Sequence, residues 1–208
     1  MAPTREKADS PRRERRARRA RRDSLFGERF AVFAECLLTG VWIAVASLGI
    51  VTYPAALAAG ARHLRRRTAH EVSGLREFGA DFRAALRGGW LVGLAGWAAV
   101  GAVWVDILAA RAGIPGGRFA GAVGIFALIG VTVALLRATA VWTPGASWRA
   151  LFADAARRTV RDPAGSLLVV CGLAVVALSA GILPPLAVPV LGAVSAAAVA
   201  VEERYRHR

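Results

Sequence analysis

Polar and apolar residues in this chain are sorted into blocks. Long uncharged runs alternate with short, densely charged ones, the arrangement of a chain that meets hydrocarbon and water in turn. The first apolar run extends from Phe30 to Ala61. A single helix of that length would reach roughly 48 Å, well beyond a hydrocarbon core of about 30 Å. Gly49, Thr52 and Pro54 lie near its middle. Proline lacks the amide proton and disfavours helix in the residue before it, so the run is expected to break near Tyr53. Two short helices, over 30–48 and 54–66, are the predicted result, the second marginal as a full crossing.

Four further apolar segments are predicted. The stretch 89–110 is apolar except for Asp106 at its far end, and 119–141 carries only Arg137. Segments 166–182 and 187–201 are joined by Leu183-Pro184-Pro185, a stop that suits a tight hairpin. No heptad and no strand alternation competes with the helical reading. Leu75, Phe78, Phe82 and Leu86 fall at helical spacing opposite arginines, which predicts an amphipathic helix at the membrane surface. A faint repeat places Arg76 to Asp81 in register with Arg149 to Asp154, each copy ahead of an embedded helix. The expected fold is all-α: a polytopic membrane bundle of about six embedded segments, in three hairpins linked by amphipathic interfacial helices.

Charge orients these elements. The chain has 28 lysines and arginines against 14 acids, a formal net charge of +14. Eleven basic residues precede Phe30 and seven lie within 62–87. If the first apolar run crossed once, these two groups would sit on opposite sides, against the positive-inside bias. If it folds back at Pro54, 25 basic residues share one side and only Arg111 and Arg118 face the other. A multi-pass protein of the plasma membrane with both termini cytoplasmic is therefore expected. Residues 1–24 have no apolar face to bury and form an expected disordered tail, separate from the helical domain 25–208. The arginine run in that tail should attract anionic lipid headgroups; with no aromatic interleaving and no recognition module, nucleic acid is not an expected partner. Signal cleavage is not expected, because the following apolar run is far longer than a signal's. Cys36 and Cys171 lie singly in apolar runs, with no disulfide or metal pattern, and are expected to be buried.

The order of features over 37–93 resembles the YesL-like family of bacterial integral membrane proteins, a domain of unknown function. A leucine-rich helix with Trp42 leads into Gly49-Ile50-Val51-Thr52-Tyr53-Pro54-Ala55-Ala56, similar to the family's Val-Val-Thr-Ile-Gly-Pro-Ala segment. A basic turn follows at Arg65 to Arg67, then Phe78-Gly79-Ala80-Asp81-Phe82-Arg83-Ala84, similar to the family's Asp-Phe-Phe-Arg-Ala-Phe, and a helix from Trp90. Tyr53 stands where the family more often has glycine, and the basic tail is additional. Members are often encoded beside carbohydrate ABC-transporter components, so the resemblance implies an accessory role with no catalytic residues to carry over.

Ionisable residues inside apolar segments are costly to bury and are therefore the first functional candidates. Glu35, Asp106 and Arg137 make up that set. All lie within a turn or two of an expected interface, where side chains snorkel to water, and a Glu35–Arg137 pair is a candidate on the cytoplasmic side. The break offers a second candidate: Thr52, Tyr53 and Pro54 with freed carbonyls, as in helix-break sites of transporters, or else a plain hairpin turn. Trp90, Trp97 and Trp104 recur every seven residues as an anchor and packing stripe. Gly89/Gly93 and Gly117/Gly121 have the spacing of close helix approach. His63, His70 and His207 have no ligand spacing, and no phosphate loop, nucleophile elbow or carboxylate pair occurs. Catalytic, cofactor and metal sites are not expected. The expected role is a non-enzymatic accessory to a carbohydrate ABC transporter, touched through Arg76, Asp81, Arg149 and Asp154. The alternative is a small solute carrier with its site at the break.

Overall fold

In the computed structural model, residues 34–69, 71 and 73–206 are described; the basic tail, His70 and His207 lie outside them. The described residues contain helices and no strand. Helix α1 (Ala34–Gly49) ends in a tight 3-10 turn, Ser47–Gly49. It is followed by α2 (Tyr53–Thr68), α3 (Leu75–Arg111), α4 (Gly117–Val141), α5 (Trp148–Arg161), α6 (Pro163–Ile182) and α7 (Pro184–Arg206). Helices α3, α4 and α6 are long and apolar enough to cross a membrane, which marks the chain as a membrane protein.

The predicted break is present. Pro54 occupies the first turn of α2, where its missing amide proton has no intrahelical partner to lose. Ile50, rather than Gly49, takes positive φ (φ 60°, ψ −57°) at the centre of a γ-turn closed by the Val51 amide on the Gly49 carbonyl at 2.6 Å, an uncommon conformation for a β-branched residue. Beyond it the chain reverses. Thr52 Oγ1 donates to the Ala46 carbonyl at 2.6 Å, Ile43 packs on Gly60, and the Trp42 ring meets His63 edge-on at 4.9 Å. Helices α1 and α2 are thus an antiparallel hairpin.

Helix α2 is the centre of the core. Its small residues, Ala55, Ala56, Ala58, Ala59 and Ala61, are buried, and they let α3, α4 and α7 approach from different sides. Ala56, Leu57 and Ala61 share one cluster with Ile43, Val133, Leu136, Val194 and Ala198. Helices α6 and α7 form a second antiparallel pair, with Gly165 against Val201 and Gly172 against Val194. Two glycines, Gly113 and Gly116, adopt positive φ and turn α3 into α4.

One element differs from expectation. The amphipathic stretch from Leu75 and the apolar segment from Gly89 were expected as separate helices, yet they are one continuous helix of 37 residues. The change in composition at Arg87 carries no proline, and Gly88 and Gly89 that follow it keep helical backbone, so the hydrogen bonding is not interrupted. Beyond Trp97, large apolar side chains on α3 and α4 face outward: Trp104 is 59% exposed and Phe126 82%. Cys171 is likewise exposed and Cys36 half-buried, against the expected burial of both, because α6 turns much of its apolar surface away from the protein.

Candidate functional site

The break lies against the middle of α3. A Cβ at Gly93 would overlap the Val51 carbonyl, and one at Gly96 would overlap the Tyr53 hydroxyl. Trp97 Nε1 donates to the Ile50 carbonyl at 3.0 Å. Two of the groups expected to be free for a solute are therefore held by the protein, the Ile50 carbonyl by Trp97 and the Thr52 hydroxyl by Ala46, while the Val51 carbonyl and the Tyr53 hydroxyl lie close against Gly93 and Gly96. Pro54 is buried. From Trp97 to the end of α3 at Arg111 is about 21 Å at the helical rise, so the turn of the hairpin sits well short of the α3–α4 turn. Gly89 and Gly93 serve this contact, and Gly117 lies against the backbone of Ala109 and Ala110. Both glycine pairs thus seat helices within the chain.

Arg137 is not at a solvated interface. It is fully buried, and its guanidinium gathers four elements. Nε donates to Glu202 Oε1 at 2.6 Å, NH2 to Asp162 Oδ2 at 3.3 Å, and NH1 to Ser166 Oγ at 3.1 Å and the Arg158 carbonyl at 3.3 Å. Arg158 NH1 donates in turn to Glu202 Oε2 at 2.7 Å, and the Tyr205 ring lies 5.8 Å from the Arg137 guanidinium carbon. Two cations face two carboxylates, so the network is neutral. The counter-charges are Glu202 and Asp162, where sequence reasoning named Glu35. Glu35 itself stands at the described start of α1.

Asp162 is the only residue between α5 and α6. It caps α6, accepting from the Gly165 amide at 3.2 Å, with Pro163 in the first turn. Burial disfavours its charged form, but the Gly165 amide and the Arg137 guanidinium outweigh this and hold the carboxyl below its ordinary range. The Asp-Pro pair was a readable cap signal; that the same carboxylate also faces Arg137 had no local signal.

A second ionic group joins α2 to α3. Asp81 is buried and receives Arg62 at 3.3 Å and Arg66 at 2.9 Å, while Arg65 donates to the Trp142 carbonyl. The carboxylate of Asp81, expected as a partner contact, faces these two arginines inside the bundle. The repeat partner Asp154 is exposed and paired with Arg157 on its own helix, so the two copies are not structurally equivalent. Arg76 and Arg149 are exposed.

Sequence reasoning also missed Trp148. Its ring lies on the glycine pair Gly88-Gly89, its Nε1 donates to the Ala85 carbonyl at 3.0 Å, and it stacks on Trp142 at 6.4 Å. Adjacent glycines within a helix are a usable sign of a large side chain docking there. Among the described residues, no group of histidine, cysteine and carboxylate side chains is arranged to hold a metal ion. The chain matches no family model, no curated protein and no solved structure.

Proposed function

We propose that this chain is a bacterial plasma-membrane protein with both termini cytoplasmic, acting non-enzymatically as an accessory to a carbohydrate ABC transporter. The observation that carries this reading is the closure of the break. The Ile50 carbonyl and the Thr52 hydroxyl already have protein partners, which leaves the rival, a solute carrier, with fewer open groups at its site. What stays open is polar and at the other end: Arg76 at the start of α3, and Arg149 and Asp154 on α5. The likeness of 37–93 to the YesL-like family supports the same assignment. Six helical segments are embedded in this reading, with α1 and α2 as a re-entrant hairpin whose turn stops at the depth of Trp97. Such a hairpin returns the chain to its starting side, so it accounts for the partition of basic residues as well as a full double crossing does.

The test is reconstitution. Purified protein in liposomes should move no sugar, and from native membranes it should co-purify with transporter subunits unless Arg149 and Asp154 are both replaced by alanine. Solute flux that is abolished by Pro54→Ala would overturn the accessory role and return the function to the break.

A further inference from the structure

Between α3 and the start of α5 lies an open cleft of about 710 Å³, which shares only Arg149 with the partner surface proposed above. Its two ends differ in chemistry. Arg87 and Arg149 stand at one end, both exposed, and neither makes an ion pair among the described residues. No carboxylate lines the cleft. From Arg87 the wall continues along one face of α3 through Leu91, Val92 and Ala95 into the segment apolar enough to lie in hydrocarbon. Trp148, pinned to the Ala85 carbonyl, forms the opposite side and fixes the width.

A mostly apolar cavity of this volume with a few convergent charged groups has the make-up of a small-molecule site. The direction of its polarity narrows the ligand. A soluble anion would be met by arginines but would leave the Leu91–Ala95 wall uncovered. A neutral acyl chain would cover that wall but leave two guanidinium groups without a counter-charge. One molecule satisfies both: an anionic headgroup at the arginines with an acyl chain running down α3. Basic pockets beside membrane helices on the cytoplasmic side hold anionic lipid headgroups in this manner. We infer that the cleft between α3 and α5 binds one anionic phospholipid, with Arg87 and Arg149 on its phosphate and Leu91, Val92 and Ala95 along its chain. This site is separate from the arginine-rich tail and goes beyond the accessory role, resting only on α3 being in the bilayer.

The experiment is native mass spectrometry of the full chain exchanged into phosphatidylglycerol or phosphatidylethanolamine. Wild-type protein should retain one phosphatidylglycerol in preference to phosphatidylethanolamine. Arg87→Gln with Arg149→Gln should weaken that binding roughly 30-fold, about fivefold for each guanidinium lost near the headgroup. Arg161→Gln with Arg204→Gln, which removes the same charge from exposed positions elsewhere, should leave it unchanged. Ala95→Trp, which fills the apolar end, should weaken both lipids together. Equal retention of the two lipids by wild-type protein overturns the inference, as does an equal loss in the Arg161/Arg204 control, which would make the effect one of general charge. Displacement of the lipid by millimolar glycerol phosphate would assign the arginines to a soluble phosphate instead. All three variants are on exposed or lining positions, and unchanged thermal unfolding of each verifies that the fold is kept.

Discussion

Arg137 Nε donates to Glu202 Oε1 at 2.6 Å, tying α4 to α7 across 65 residues of sequence. Both side chains are almost wholly excluded from solvent. Removing Glu202 leaves the Arg137 and Arg158 guanidinium groups against the single carboxylate of Asp162, and breaking a buried pair in this way costs about 3–5 kcal/mol. Glu202→Ala is therefore expected to lower unfolding stability in detergent by that amount. Arg137→Met with Glu202→Met should lose less than the two single changes together, since neither charge is then stranded. A Glu202→Ala protein that unfolds within about 0.5 kcal/mol of wild type, the range of ordinary surface changes, would refute the network as a structural element.

The network also sets an acid limit. Asp162 has its carboxyl held below the ordinary value, so its stabilising contribution is complete above that value and is lost as pH falls through the lowered one. Melting temperature in detergent should thus begin to fall only as pH drops past the ordinary carboxylate value near 3.8. Asp162→Asn should be less stable at neutral pH and show a shallower acid decline. An acid decline of the same steepness in the variant would assign the sensitivity to other carboxylates.

Two glycines on α3 make opposite predictions. Gly93 backs onto the Val51 carbonyl, whereas an added Cβ at Gly101 meets no atom within 4 Å. Gly101→Ala should stabilise by about 0.5–1 kcal/mol through helix propensity alone. Gly93→Ala should destabilise by about 1–3 kcal/mol, because the hairpin must move away from α3. Urea or SDS titration of the two variants compares them directly; a tolerated Gly93→Ala would mean that the hairpin does not seat there.

Labelling with a membrane-impermeant thiol reagent reads the topology. In a background without Cys36 and Cys171, Arg65→Cys should react only from the cytoplasmic side and Gly113→Cys only from outside. Ile50→Cys is the informative position. A re-entrant turn at the depth of Trp97 should be protected from both sides, whereas a hairpin that crosses fully would expose it outside.

Much of this arrangement could be read from the residues, and the unread part has a common cause. Pro54 announced the break because proline acts on its own backbone. The spacing of Phe78, Phe82 and Leu86 announced a helix because periodicity is local. Arg137 announced a charge but not its depth, since depth depends on Glu202 and Asp162, which local pattern cannot pair with it. The burial of Asp81 is illegible for the same reason: its partners Arg62 and Arg66 belong to the preceding helix, and local pattern cannot pair them with it. The division of α3 failed differently. Hydropathy changes at Arg87 and two glycines follow it, a pattern that also fits a helix end, but Gly88 and Gly89 stay helical beneath the Trp148 ring.

The separation of Arg137 from Glu202 has a consequence in time as well as in space. At about 5–20 residues per second, a ribosome needs roughly 3–13 s to go from one to the other. During that interval α4 has its arginine and lacks the α7 carboxylate that neutralises it. The helix must wait with its Arg137 end in contact with water, and it can settle only when α7 is delivered. Assembly of this half of the protein is thereby ordered by synthesis, and a chain ending before Glu202 should stall with α4 displaced toward the side that holds Arg137.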